Sequence, residues 1–289
     1  MANSPSHKFG QIIGDLLEYI VNIYLKPIEN QHNLYIDKKR PRKARNNKKE
    51  VIYTDEYGNK HKLDIVIEKY GTEEQFGDPI AFIEMAWRRY TKHSKNKAQE
   101  IQGAILPIID KYSHLSPFYG CILAGVFTNN SIQQLKSHGF SVVYFEYETI
   151  IDAFSTVNID VSWDEKTDDE TFKEKIKQYE SLTKEDLSKV VDRLIYLNKQ
   201  ELDNFKFKLE TSILRRIENI IILPLHGKYK EVNRIEDAID YIETYKELPL
   251  NCDIVKYEIQ IKYSNGDKIN AEFVDRFNAI NFLKNYSTI

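Results

Sequence analysis

Apolar residues recur at three- and four-residue intervals near the start of the chain, at Phe9, Ile12, Ile13, Leu16, Leu17 and Ile20. That spacing puts them on one face of a helix over residues 6–27, which should stop before Pro27 because proline lacks the N–H a helix interior needs. The period then changes to alternation. Residues 33–37 read as a short strand, and VIYT and HKLDIVIE flank the turn Asp55-Glu56-Tyr57-Gly58-Asn59 as a hairpin. A further strand over 80–87 follows the turn Gly77-Asp78-Pro79. Ala98, Ile101, Ile105 and Ile108 mark the inner face of a helix over 95–112, with Pro107 as a kink. Strand YGCILAGVFT, helix SIQQLKSHG and strand FSVVYFEY complete the series. This order predicts an α/β fold with a mixed central sheet flanked by helices.

After residue 155 the pattern shifts. An acidic stretch, WDEKTDDE at 163–170, leads into amphipathic helices, so 156–216 is expected to be a helical linker region between a first domain, 1–155, and a last one, 217–289. The last domain carries a diverged repeat whose halves each read as strand, turn, strand, helix. In the second half Asn265-Gly266 marks a tight hairpin, since these residues accept the positive φ such turns require. We expect a C-terminal α+β domain built on a ββα repeat and serving recognition or dimerisation.

Composition narrows the function classes. Hydrophobic residues make up 42% and charged residues 29% of the 289-residue chain, ordinary globular values. No apolar run approaches the ~18 residues of a membrane span. Cys121 and Cys252 lie too far apart in sequence to suggest a disulfide or zinc framework, and MANSPSHKFG has no leader pattern, so a cytoplasmic protein is expected. The net charge of −3 is unevenly spread: residues 1–150 carry 20 Lys and Arg against 17 Asp and Glu. Basic residues concentrate in KKRPRKARNNKK, 38–49, where eight of twelve side chains are cationic. Such a run is either a solvated loop or a phosphate-contacting one, through residues such as Arg42, Lys43 and Arg45.

Two strands interrupt their own apolar pattern with an acid: KLDIVI with Asp64 and IAFIEMAW with Glu84. A buried carboxylate loses hydration worth several kcal/mol and normally survives with a cation or metal partner. By alternation, Lys62 and Val66 share a face with Asp64, and Phe82 and Ala86 share one with Glu84. If the strands are neighbours, Asp64 and Glu84 together can hold Mg²⁺, with the Met85 carbonyl and waters completing the site. A Ser-His-Asp spacing, a Gly-rich phosphate loop and a Cys/His cluster are all missing from the sequence.

With its first helix, its KLDIVI and IAFIEMAW acids and the helix-strand-helix-strand order that follows, residues 6–150 resemble the PD-(D/E)XK superfamily of Mg²⁺-dependent nucleases. That superfamily includes the type II restriction endonucleases. The resemblance implies a restriction-endonuclease-like fold, Asp64 and Glu84 as metal ligands, and cleavage of double-stranded DNA, most simply by a homodimer acting on both strands. It also implies a lysine two residues after the second acid, where this chain has Ala86. Lys62 is the first candidate replacement, and Lys97 or Lys95 the second.

Arg88, Arg89, Lys92, His93, Lys95 and Gln99, with Gln102, follow the second acid; they are candidates for DNA contact or simply a solvated helix start. Glu18 and Glu68 are candidates for an added metal contact. Three other readings stand beside the restriction enzyme: a nuclease-fold DNA-binding protein silenced by Ala86, a repair or mobile-element nuclease, and an interaction protein in which the acids only pair with Lys62 and Arg88.

Overall fold

A computed structural model describes residues 4–90, 94–164, 166–246 and 255–286. The chain divides into two compact units, 1–210 and 211–289. The fold is α/β: a mixed central sheet flanked by helices, followed by an antiparallel sheet with its own helices.

Helix α1, Pro5–His32, buries the predicted stripe from Phe9 to Ile20. Ser4 caps its start by accepting the His7 amide, and Asn33, in the left-handed region at φ 51°, caps its end. The helix therefore runs past Pro27 instead of stopping before it. Val21, Leu25 and Ile28 extend the buried face across the proline, and their burial offsets the one backbone bond it loses.

Strands β1 (Leu34–Lys38), β2 (Val51–Thr54), β3 (Lys60–Leu63), β4 (Ile65–Lys69) and β5 (Asp78–Arg88) follow. Then come α2 (Ser94–Lys111), β6 (Phe118–Gly125), α3 (Asn129–Ser137), β7 (Ser141–Glu146) and α4 (Tyr147–Ser155). The main sheet has the order β1-β4-β5-β6-β7, antiparallel from β1 to β5 and parallel from β5 to β7. On one face, Val66, Phe82, Ala86, Cys121 and Leu123 pack with Ala98, Ile101, Ile105 and Ile108 of α2 and with Val51, Tyr53 and Leu63 of the β2–β3 hairpin. On the other, Trp87 stacks edge-on against Trp163, whose ring also meets Phe9 of α1 at 5.8 Å.

Helices α5 (Asp169–Glu180), α6 (Lys184–Leu197) and α7 (Lys199–Ile213) were expected to form a linker region. Up to residue 210 they belong instead to the first unit. The cause is their apolar stripe. Phe172 lies 5.5 Å from Phe9, Phe205 lies 5.3 Å from Phe118, and Arg193 forks onto Asp152 of α4 at 2.6 and 3.1 Å.

The second unit contains β8 (Ile217–Pro224), β9 (Lys230–Val232), α8 (Ile235–Thr244), β10 (Tyr257–Tyr263), β11 (Lys268–Phe273) and α9 (Arg276–Lys284). Its sheet has the order β11-β10-β8-β9, all antiparallel, so the first strand of each ββα half lies at the centre. Ile220, Ile222, Ile259 and Ile261 face Ala238, Ile242, Ala279 and Leu283 of the two helices. Gly266, at φ +90°, makes the predicted tight turn.

Candidate active site

The two interrupting acids meet because of strand register. Ile65 pairs with Ile83, so Asp64, one residue before β4, falls opposite Glu84 on β5. The Asp64 amide donates to Glu84 Oε1 at 3.1 Å, and the Met85 amide donates to Asp64 Oδ2 at 2.8 Å. In a strand the N–H and C=O of one residue point the same way, so the Met85 carbonyl faces the edge where Asp64 sits. Glu84 is buried and Asp64 half-buried.

Burial, and then the neighbouring Asp64 carboxylate, push the Glu84 carboxyl up from 4.5 to about 8, while Lys97 pulls the other way. Among the described residues no Lys, Arg or His side chain forms an ion pair within 4.0 Å of either acid. Among the described residues, then, neither acid has the ion-paired cation that a structural role would call for, although Lys97 lies close enough to act on Glu84.

Asp64 opens onto a cleft of about 210 Å³ that is also lined by Glu18 of α1, Lys39, Met85 and Trp87. Glu18 therefore stands at the cleft, its carboxylate 3.5 Å from Lys38. Lys39 was not singled out in the sequence, where it is one lysine of a basic run. It lies one residue past β1, and the pairing of Lys38 with Ile65 puts it opposite Asp64.

Lys62 does not share the Asp64 face. The predicted single strand breaks at Asp64: Lys60–Leu63 pairs with β2, then the chain bends and Ile65–Lys69 joins the main sheet. Alternation does not carry across that change of sheet. Lys62 lies on the hairpin's outer side, 61% exposed, and pairs with Glu50 at 2.6 Å.

The arginines of the basic run also depart from expectation. Arg42 is fully buried and cannot touch DNA from there. It donates to Asp37 at 2.8 Å, to both oxygens of Glu68 at 2.9 Å, and to the Thr72 and Gln75 carbonyls. Arg45, also buried, holds both Asp37 oxygens. Glu68 further accepts from Tyr53 Oη and the Gly77 amide, each at 2.9 Å, so it has no lone pair facing a metal. The physical reason is charge balance: two acids buried on β1 and β4 draw the nearest guanidinium groups inward. Lys43 remains exposed and pairs with Glu74.

Along the stretch after β5, Arg88 shares the Glu84 side of the strand and reaches Glu100 of α2 at 3.5 Å. Arg89 points to the other side, its guanidinium 4.3 Å from the Tyr90 ring centre and 4.9 Å from that of Phe172. That stacking makes it part of the packing around α5. Lys97 lies 3.6 Å from Glu100 and is close enough to act on Glu84. Lys95 and Gln99 are exposed, and Gln102 accepts from Gln134 at 3.1 Å. Lys92 and His93 lie outside the described residues.

No family model matches the chain, and no curated protein does. A crystal structure of a protein of unknown function is similar over 68% of this chain and 97% of that chain, at 12% identity and a TM-score of 0.30.

Proposed function

We propose that the protein is a Mg²⁺-dependent endonuclease acting on double-stranded DNA, of the restriction type, and that it works as a homodimer. The observation that carries this reading is the Asp64–Glu84 pair, two acids placed side by side at a strand end with no ion pair to a cationic side chain among the described residues.

The donor set suits Mg²⁺. Among the described residues no three His, Cys, Asp or Glu side chains gather into a metal cluster, so the protein would offer two carboxylates and the Met85 carbonyl. Mg²⁺ typically keeps several waters and binds through one or two carboxylates plus substrate phosphate. Bound there, it supplies Lewis-acid polarisation of a phosphate oxygen and a water of lowered pKa.

The protein's own contribution is orientation. Backbone amides of Asp64 and Met85 fix both carboxylates, so little reorganisation remains when substrate arrives. Exposed Lys95 and Gln99, with Arg88 on the Glu84 side, suit contact with the DNA backbone. Two strands need two such sites, which two-fold symmetry provides.

A second reading has its own observation. Ala86 is 5% exposed, belongs to the apolar cluster shared with α2 and borders the cleft beside Asp64, so no cation stands two residues after Glu84. A nuclease-fold DNA-binding protein without activity would look the same at this position. Incubation with supercoiled plasmid and Mg²⁺ separates the two. The enzyme yields linear or discrete fragments and Glu84→Ala yields none; retained DNA binding with no cleavage in Mg²⁺, Mn²⁺ or Co²⁺ would establish the inactive form.

A further inference from the structure

Continuing the register of β1, β4 and β5 by one residue aligns three side chains that lie far apart in sequence. Lys38 pairs with Ile65 and Ile65 with Ile83, so the next rung is Lys39, Asp64 and Glu84. The rung continues into the parallel strands, where Glu84 pairs with Cys121. Lys39 and Asp64 line the same cleft, with Glu18 on its α1 wall.

Among the described residues, several other basic side chains around this edge are engaged. Lys38 donates to Asn22 at 3.1 Å and lies 3.5 Å from Glu18. Lys62 is held by Glu50, and both Lys97 and Arg88 lie near Glu100. Lys39 is exposed and forms no ion pair within 4.0 Å among the described residues.

We infer that Lys39 is the cation of the Asp64–Glu84 site, reaching across from the end of β1 to contact a phosphate bound beside the two acids. Its ammonium donates hydrogen bonds to a non-bridging phosphate oxygen, where charge builds as water adds to phosphorus. The position two residues after Glu84 can then be alanine, because the charge arrives from a different strand. This rests on the endonuclease reading for its substrate, but not for the placement of Lys39 beside the acids.

The test compares full-length wild type, Lys39→Ala, Lys39→Arg and Lys97→Ala. Lys39 is exposed and forms no ion pair within 4.0 Å among the described residues, so its variants should melt with the wild type. Mn²⁺ affinity, followed by the loss of the free-ion paramagnetic resonance signal, should tighten roughly fivefold in Lys39→Ala, as a positive charge leaves the neighbourhood of a divalent ion. Single-turnover cleavage in Mg²⁺ at saturating DNA should fall about 10²–10³-fold in Lys39→Ala, as when a transition-state donor is removed. Lys39→Arg should recover part of that loss.

Unchanged Mn²⁺ affinity in Lys39→Ala overturns the placement. Cleavage by Lys39→Ala within threefold of wild type overturns the phosphate contact, and a large loss in Lys97→Ala alone moves the role there. Should wild type cut no DNA with any divalent ion, the endonuclease reading falls, while the Mn²⁺ comparison still decides whether Lys39 belongs to the site.

Discussion

Two pairs of acids stand on the main sheet, and the protein treats them in opposite ways. Asp37 and Glu68 are fully enclosed with Arg42 and Arg45, and every carboxylate oxygen accepts a hydrogen bond from a guanidinium. Asp64, one residue before β4, and Glu84 on β5 instead take hydrogen bonds from backbone amides, which carry no balancing charge. Neutralising a buried acid is expensive to omit, and the first pair demonstrates that arginines were within reach of this sheet. The second pair has no arginine partner among the described residues, which is what the proposed metal site requires.

The strongest test of that contrast removes one member from each pair. Glu84→Ala, or Asp64→Asn, should eliminate plasmid cleavage, by about three orders of magnitude or more, with the melting temperature held or raised. Arg42→Ala should do the reverse: it leaves two buried acids partly unpaired, at a cost of about 3–5 kcal/mol. In a unit of this size that is a fall in Tm of about 10 °C or more, read by calorimetry. If Arg42→Ala melted like wild type, the first pair would not be the structural one.

Acidity provides a subtler comparison. Without metal, Glu84 holds its proton more tightly folded, near 8, than in its ordinary state at 4.5. A raised folded value means that its contribution to stability is complete below 4.5 and is lost as pH rises through about 8. Metal-free protein should therefore lose up to a few kcal/mol across that window, and Glu84→Gln should flatten the loss. Added Mg²⁺ should restore stability at pH 8, where the carboxylate is free to bind it. A Tm profile identical in wild type and Glu84→Gln would contradict the burial argument.

The smallest effect belongs to Lys62. Exposed and paired only with Glu50, Lys62→Ala should change Tm by less than about 0.5 kcal/mol equivalent and cleavage by less than about twofold.

Much of this was legible in the chain. The helical spacing from Phe9 to Ile20 and the alternation around Asn265-Gly266 are local patterns that became the expected elements, and Glu84 lies inside its apolar strand, whereas Asp64 falls at the break between β3 and β4. Pro27 misled because its penalty is local while the burial of Leu25 and Ile28 that offsets it depends on packing. In the basic run, sequence distinguished neither role: Arg42 and Arg45 turn inward to Asp37 and Glu68, while Arg40 pairs with Glu73 nearer the surface and Lys43 stays exposed. The planar guanidinium can satisfy several acceptors at once in a dry interior, and a lysine ammonium is better left hydrated.

The alternation of apolar and polar side chains thus named the carboxylates, since a charge out of pattern is visible one strand at a time. Which cation would face them was not visible. That depended on the switch of sheets at Asp64, which turns Lys62 away, and on the β1–β4 register, which brings Lys39 alongside. Both are pairings between distant segments, chosen by the burial of whole sheet faces, and a single strand's pattern carries no record of its neighbour.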